Sequence, residues 1–350
     1  MTRTADRLPE ELGGKADFEY VSPKGRRLTE YEAVTCYTQP QVGGGGLQVM
    51  GDFKLRPDGR PIFDLDGTAL RCDDWFAYRD PNQMWQKPYY ALQAGAEKAI
   101  DRTTDVVIST GAAAAMDPGW VERGLVGAYL AFAHFEYGLF RALNVAARES
   151  LSDTVNSVLV FDAADKLRHA QAISLLSLDL ETALPGFDGT AGKGHWLADP
   201  TWQAVRRLIE EVMAIGDWGE IVVAANLAVE PLLGEPLRRL VFSLAAARGG
   251  DVLVPVIAAT ATADWQRNAR ATREFLTFLL GCPGGAGNEE ILADWLRAWT
   301  DRVAPVATAL FEALEGNLPF PGLPDQARSV GREEAARAGA DLLDAVPVHA

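Results

Sequence analysis

The segment Asp165–His169 (DKLRH) is the part of the sequence whose residue types and spacing come closest to metal chemistry. Helical bundles that hold two iron ions use a Glu-x-x-His motif, because residues three apart share a helix face and reach one metal. In many oxygen-activating proteins the motif reads Asp-Glu-x-Arg-His. Here Lys166 stands at the glutamate position, and a charged ammonium group repels a metal cation. The segment therefore predicts a di-iron motif that has lost a ligand.

A second copy of the motif, Asp264–Asn268 (DWQRN), has lost both ligands. Trp265 replaces the glutamate and Asn268 replaces the histidine. Glu136 and Glu230 precede the two copies at separations suited to the remaining carboxylate ligands. We therefore expect no metal, no cofactor and no catalytic residue in this chain. The degenerate di-iron positions are Glu136, Lys166, His169, Glu230, Trp265 and Asn268.

A lost metal pair leaves buried carboxylates without a counter-charge, which is costly unless another cation replaces it. Lys166 is the candidate cation, and we expect it to pair with Glu136 or Glu230. Trp265 is large enough to fill part of the volume that the metals would occupy.

Long helices must position these residues, and the sequence predicts them from Asp73 onward. Start signals such as Asp80-Pro81 and Asp199-Pro200 precede apolar residues at helical spacing. Several predicted helices far exceed the usual mean of roughly 11–12 residues, which favours an all-α antiparallel bundle. The predicted helices are Gln83–Ile100, Trp120–Glu149, Ser152–Leu180, Trp202–Ile215, Trp218–Arg248, Asp251–Leu280, Asn288–Leu314 and Arg332–Leu343.

The pattern divides the chain into an arm, a bundle and a C-terminal part. Residues 1–72 are rich in glycine, proline and charge and predict an extended N-terminal arm, within which Gly43–Gly46 reads as a flexible link. Tyr31–Tyr37 and Leu47–Phe53 in this arm read as strand-like or extended. Residues 73–280 form the predicted bundle of two helix pairs, and residues 281–350 form helices that pack on it.

Charge and cysteine content exclude several function classes. The 350 residues carry 33 Lys and Arg against 48 Asp and Glu, a formal charge of −15. This balance disfavours nucleic acid and anionic membranes as partners. The chain's 3 cysteines form no CxxC pair, which argues against a disulfide framework or a zinc site. With no secretory signal and no membrane span visible, we expect a cytoplasmic protein.

A competing interpretation rests on Ile62–Leu70 (IFDLDGTAL), which imitates the first motif of haloacid-dehalogenase-type phosphatases. In that chemistry the first aspartate is the nucleophile and the second a general acid. Val106–Gly111 resembles the second motif of the same enzymes. The mechanism needs a buried parallel strand before the motif, however, and Arg60-Pro61 is a poor start for one. The alternative is a turn in which the Asp64 carboxylate caps its own backbone.

Further short stretches follow one another in a particular order along most of the chain. They are Tyr31–Thr35, Asp74-Trp75, Asp80-Pro81, Trp85, Tyr89, Asp199–Gln203, Arg206-Arg207, Asp217-Trp218 and Asn226-Leu227. Together with the degenerate motifs they resemble the beta subunit of the hydroxylase of bacterial multicomponent di-iron monooxygenases. These enzymes act on phenol, toluene, alkenes and propane.

The resemblance implies a ferritin-like, ribonucleotide-reductase-like long-helix bundle with an extended N-terminal arm. It implies a structural role in an NADH-dependent monooxygenase, beside a catalytic alpha subunit that holds the di-iron centre. A small gamma subunit, an effector protein and a reductase with FAD, an iron–sulfur cluster and often a ferredoxin complete such systems. The expected assembly is (αβγ)2 or (αβ)2. The substrate is a small hydrocarbon, with a weak preference for alkene epoxidation over toluene or phenol hydroxylation.

The resemblance also implies that residues 1–72 and 73–100 contact the alpha subunit. Aromatic residues in this region would then face the partner. They equally suit packing in the core of the chain itself, and the sequence does not separate the two. The residues are Trp75, Trp85, Tyr89 and Tyr90.

Overall fold

Helices make up most of the computed structural model, which describes residues 28–37 and 64–343. No strand occurs within these two ranges, so the all-α prediction is confirmed. None of their helices is long and apolar enough to cross a bilayer. Most of the predicted arm, including Gly43–Gly46 and Leu47–Phe53, lies outside the described residues. Within the arm, Glu32–Tyr37 forms a π-helical turn, so the prediction of an extended segment there is wrong.

The first half of the bundle contains helices α1 to α5. Helix α2 begins with a π-helical portion, Trp120–Tyr129, and continues as Leu130–Glu149. Side-chain caps start two of the others: Ser152 accepts a hydrogen bond from the backbone N–H of Val155, and Asp199 accepts one from Thr201. The remaining helices are α1, Gln86–Ser109; α3, Asp153–Ala183; α4, Ala191–Ala198; and α5, Pro200–Met213.

The second half contains helices α6 to α9. Helix α6 runs without a break through Trp218–Val223, Ala224–Gly234, Leu237–Ala245 and Ala246–Arg248, and its two central portions are π-helical. Pro231 lies inside this helix, where it removes a backbone donor. The others are α7, Leu253–Gly281; α8, Asn288–Asn317; and α9, Leu323–Ala338. The last helix therefore begins well before the predicted Arg332 and ends at Gly339, whose φ is +107°.

Two pairs of long helices form the centre of the bundle, α2 with α3 and α6 with α7. Helices α8 and α9 pack on α6, and α3 contacts α7 across the middle. One hydrophobic cluster joins all of these helices and extends from Leu70 to Leu343. Of the aromatic residues that the sequence left open, Trp75 and Tyr89 belong to the buried interior, whereas Tyr90 is exposed.

Glycine at position 192 permits the close crossing of α4 over α2. A Cβ atom built on Gly192 would lie 2.5 Å from Cβ of Leu130, whereas one built on Gly194 in the same helix meets nothing within 4 Å. We expect Gly192→Ala to lower the free energy of unfolding by about 1–3 kcal/mol through overpacking. Gly194→Ala should instead raise it by about 0.5–1 kcal/mol, because alanine favours the helix. Urea unfolding of both variants tests this, and equal shifts would contradict the close crossing.

Candidate functional site

A group of buried ionic side chains occupies the centre of the bundle, and we call it the glutamate cluster. Its members are Glu136 on α2, Lys166 and His169 on α3, and Glu230, Glu235 and Arg238 on α6. The ammonium nitrogen of Lys166 lies 2.9 Å from Oε2 of Glu230 and 3.9 Å from Oε2 of Glu136. The Lys166 side chain is only 5% exposed and the two glutamates are fully buried. A cation thus lies between the two carboxylates that the sequence singled out.

Arg238 is a second buried cation in the glutamate cluster, and the sequence analysis missed it. Its guanidinium group donates to Oε1 of Glu136 at 2.6 Å, to Oε1 of Glu235 at 2.6 Å and also to Glu230. One planar group with several N–H donors can make all three contacts because its fork geometry matches carboxylates. Arg238 therefore binds every glutamate of the cluster.

His169 completes the glutamate cluster on the side of α3. Its Nδ1 lies 2.9 Å from Oε1 of Glu136, and its Nε2 lies 3.4 Å from the hydroxyl of Tyr129. Burial lowers the pKa of His169, and burial together with the charges of Arg238 and Arg168 outweighs the increase caused by Glu136. The ring is therefore neutral near pH 7, and Nδ1 must carry the proton because an ionised carboxylate only accepts hydrogen bonds.

The residues of the glutamate cluster do not fit a di-iron centre. Lys166 and Arg238 contact the same carboxylate oxygens that iron ions would need as ligands. Burial lowers the pKa of Lys166, but Glu230 and Glu136 raise it by more, so the ammonium group stays charged. In the ranges that the structure describes, no group of three or more His, Cys, Asp or Glu side chains is arranged to hold a metal ion.

The cations of the cluster hold Glu136 in its ionised form. Burial alone would raise its pKa, but the charges of Lys166 and Arg238, together with the hydrogen bond from His169, outweigh burial and lower the pKa to about 2. An acid whose folded-state pKa is depressed stabilises the fold above its unfolded-state pKa, near 4.3, and this stabilisation disappears as the pH falls toward 2.

Glu136→Gln should therefore destabilise the chain most at neutral pH. We expect the difference in unfolding free energy between wild type and Glu136→Gln to be constant from about pH 7 to pH 5.5 and to shrink below about pH 4.5. Glu312→Gln, on the exposed side of α8, is the control and should show no such change. Urea titrations at several pH values measure this. A difference that grows on acidification would contradict the ionised state of Glu136.

A second buried network, the aspartate network, lies beside the glutamate cluster between α3 and α7. Arg267 pairs with Asp165, and Arg168 pairs with Asp264, so each arginine crosses to the other helix. Gln93 on α1 donates to both aspartates, at 3.0 Å and 2.8 Å. The Asp and Arg residues that both degenerate motifs retain therefore join α3 and α7 by two reciprocal ion pairs.

The structure separates the six degenerate positions into two groups. Glu136, Lys166, His169 and Glu230 meet in the glutamate cluster. Trp265 borders it, with its ring centre 5.9 Å from the ammonium nitrogen of Lys166, and its indole N–H donates to Glu334 on α9 at 2.8 Å. Asn268 belongs to the aspartate network, where it donates to Asp162 and Asp165 at 2.9 Å each.

The phosphatase interpretation finds no support in the described part of Ile62–Leu70. The carboxylate of Asp64 accepts a hydrogen bond from the backbone N–H of Asp66 at 3.0 Å and caps a short 3₁₀ turn, Leu65–Gly67. Residues 106–109, part of the supposed second motif, lie within helix α1. A nucleophilic aspartate at the end of a parallel strand is therefore absent from the described residues.

Comparison with known proteins identifies the family of this chain. The sequence profile of the family described as Methane/Phenol/Alkene Hydroxylase matches residues 55–282. The chain belongs to the methane, phenol and alkene hydroxylase family. The subunit names of its relatives confirm the resemblance to hydroxylase beta subunits.

Relatives in this hydroxylase family cover most of the chain. The propane 2-monooxygenase hydroxylase component small subunit of Mycolicibacterium smegmatis is 33% identical over 306 residues, which are 84% of this chain and 79% of that protein. The methane monooxygenase component A beta chain of Methylosinus trichosporium is 30% identical over 305 residues, 85% of this chain and 76% of its own. Both are named as the small or beta subunits of hydroxylase components.

A solved hydroxylase structure shares the fold. The structure of xenon-pressurised phenol hydroxylase from Pseudomonas sp. OX1 superposes with a TM-score of 0.77 at 17% identity, covering 93% of this chain and 95% of that one. The prediction of a ferritin-like long-helix bundle is confirmed.

Proposed function

We propose that this chain is the non-catalytic beta subunit of a hydrocarbon hydroxylase and supports a catalytic alpha subunit that carries the di-iron centre. The observation that carries the proposal is the pair of buried cations, Lys166 and Arg238, which contact the carboxylates of the degenerate motif. Two fixed cations in this position disfavour iron ligation by the same oxygens. The chemistry must then take place in another subunit.

The overall reaction in such a complex inserts one atom of O2 into a hydrocarbon and reduces the other atom to water. NADH supplies the two electrons through a reductase with FAD and an iron–sulfur cluster, and a proton completes the water. The di-iron centre, when bound in the alpha subunit, supplies the activation of O2. This chain contributes a rigid helical surface for assembly, held by the glutamate cluster and the aspartate network.

The proposed partners follow from the family. The alpha subunit is the direct partner, and a small gamma subunit, an effector protein and a reductase or ferredoxin complete the system. We propose an (αβγ)2 or (αβ)2 assembly in the cytoplasm. The exposed Tyr90 and the N-terminal regions 1–72 and 73–100 are the proposed contact with alpha.

We propose a small hydrocarbon as the substrate of the complex. The two relatives described above are named for propane and methane, which favours a short alkane. The preference for alkene epoxidation stays a prediction, because it depends on a pocket in the alpha subunit. Oxidation of propane, propene and toluene by the same complex would rank these substrate classes.

Reconstitution from separately produced subunits tests the proposed function. We expect iron to accompany the alpha subunit, this chain to contain no stoichiometric iron, and NADH-dependent oxidation to require both subunits with the reductase and effector. The alpha subunit without this chain should show little NADH-dependent oxidation, because the hydroxylase assembly is then incomplete. Iron bound stoichiometrically to this chain would overturn the non-catalytic assignment, and full activity of alpha alone would overturn the structural role.

A further inference from the structure

A large cavity lies between α6, α8 and α9, and no residue of the glutamate cluster lines it. Its volume is about 450 Å³. Its lining includes the exposed residues Arg328, Arg332 and Ala336, so the cavity opens to solvent at α9. A space of this size lies within the range of roughly 300–1,000 Å³ that is typical of small-molecule sites. The cavity is therefore large enough to receive a ligand.

The wall of the cavity is mainly apolar. Leu227 on α6, Leu296 and Phe311 on α8, and Ala327 and Ala335 on α9 line it. Phe311 and Leu296 are themselves buried and belong to the hydrophobic core. The lining therefore suits a hydrocarbon chain, which gains free energy when it leaves water.

A few polar groups also reach the cavity. The hydroxyls of Thr300 and Thr308 line it from α8 and form no hydrogen bond with another side chain or backbone group in residues 28–37 and 64–343. Arg332 lines the exposed mouth of the cavity from α9 and forms no ion pair within the same ranges, whereas nearby Arg328 pairs with Asp325. Asp341 is the acidic side chain in the lining, and it pairs with Arg273. An anionic group would give Arg332 a partner and accept hydrogen bonds from the threonines.

We propose that this cavity binds a small amphipathic carboxylate, with its hydrocarbon tail against Leu296 and Phe311 and its carboxylate at Arg332. The apolar wall suits the hydrocarbon tail of this ligand, and the charge of Arg332 favours a carboxylate over a neutral hydrocarbon. A carboxylate can accept two parallel hydrogen bonds from the fork of N–H donors on a guanidinium group. The binding is separate from the monooxygenase reaction and does not depend on the proposed function.

Calorimetric titration of the full chain with three probes that share a linear skeleton of about eight carbon atoms tests the proposal. The probes are octanoate, octan-1-ol and octylammonium. We expect octanoate to bind about tenfold more tightly than octan-1-ol, the gain of one charge-assisted contact, and octylammonium to bind least because Arg332 repels it. Equal binding of octanoate and octan-1-ol would overturn the assignment of a carboxylate ligand, as would absence of octanoate binding.

Substitutions in the lining of the cavity test whether octanoate binds there. Arg332→Ala should weaken octanoate binding about tenfold and leave octan-1-ol unchanged, whereas Arg302→Ala is the matched control, since Arg302 instead stacks on Trp299. Ala304→Leu and Ala335→Leu should each reduce binding of both probes by filling the cavity, and either variant suffices if the other does not fold. Unchanged octanoate binding in Arg332→Ala or in a folded filled variant would overturn the proposal.

A variant truncated after Leu343 tests whether residues 344–350 occupy the cavity instead of a ligand. Leu343 lines the cavity, and residues 344–350 follow it directly. We expect the full and the shortened chain to bind octanoate equally. Binding by the shortened chain alone would assign the cavity to the terminal residues and overturn the proposal.

Discussion

Replacing Arg238 by methionine is expected to lower the free energy of unfolding by about 3–5 kcal/mol. Methionine keeps much of the apolar volume of the side chain but removes the charge. Glu136 and Glu230 then keep Lys166 as an ion-pair partner, whereas Glu235 keeps none within the described residues. One oxygen atom of each of the three glutamates already lacks a hydrogen-bond partner in the native fold. Unpaired buried carboxylates are among the costliest changes that a core can carry.

Urea unfolding monitored by circular dichroism measures the effect of Arg238→Met. The matched control is Arg297→Met, because Arg297 pairs with Asp294 on the surface of α8, where the two side chains are 53% and 62% exposed. A surface pair contributes only about 0–1 kcal/mol, so the control should change little. Similar losses in both variants would show that Arg238 does not neutralise the glutamate cluster.

Lys166→Met is expected to lower the free energy of unfolding by about 3–4 kcal/mol, because it also removes a cation from buried carboxylates. The size of this loss should depend on the charge of its partner Glu230. The ammonium group contacts Glu230 at 2.9 Å, so removal of that carboxylate's charge should recover part of the loss. In the double variant Lys166→Met/Glu230→Gln, we expect the two effects to be non-additive by about 1–3 kcal/mol. Arg238 limits the recovery, because Glu230→Gln also removes the negative charge of one of its three carboxylate partners.

The double-mutant cycle of Lys166 and Glu230 needs a solvent-exposed ion pair as its control. Lys87 lies 3.9 Å from Glu30, with both side chains more than 70% exposed, and the corresponding Lys87→Met/Glu30→Gln cycle should show almost no coupling. Additive losses for Lys166 and Glu230 would mean that the two groups do not neutralise each other in the fold. Strong coupling at both sites would point instead to a long-range effect of net charge.

The sequence predicted most helices because their start signals act locally. Asp199 caps α5 and Pro200 occupies its first turn, which needs no tertiary contact. Helix α4, Ala191–Ala198, was missed because glycines at 192 and 194 lower its intrinsic helix propensity. Its packing on α2, through the close crossing at Gly192, stabilises it instead.

The sequence predicted only those residues of the candidate site that belong to the degenerate di-iron motifs. Glu136, Lys166, His169 and Glu230 were identified from spacing, but Arg238 belongs to no motif. In sequence it cannot be distinguished from Arg239, which faces α9 and pairs with Glu333 and Glu334. The two π-helical portions of α6 change the residues per turn, so a regular helical period does not predict which arginine points inward.

The two cations of the glutamate cluster are covalently part of the polypeptide. Unlike bound metal ions, they cannot dissociate, change oxidation state or be removed by a chelator. Under the proposed non-catalytic role, metal concentration does not enter the folding equilibrium of this chain by mass action, as it does for a protein whose core needs an ion. The same role implies that removal of iron leaves the folded fraction of this subunit unchanged.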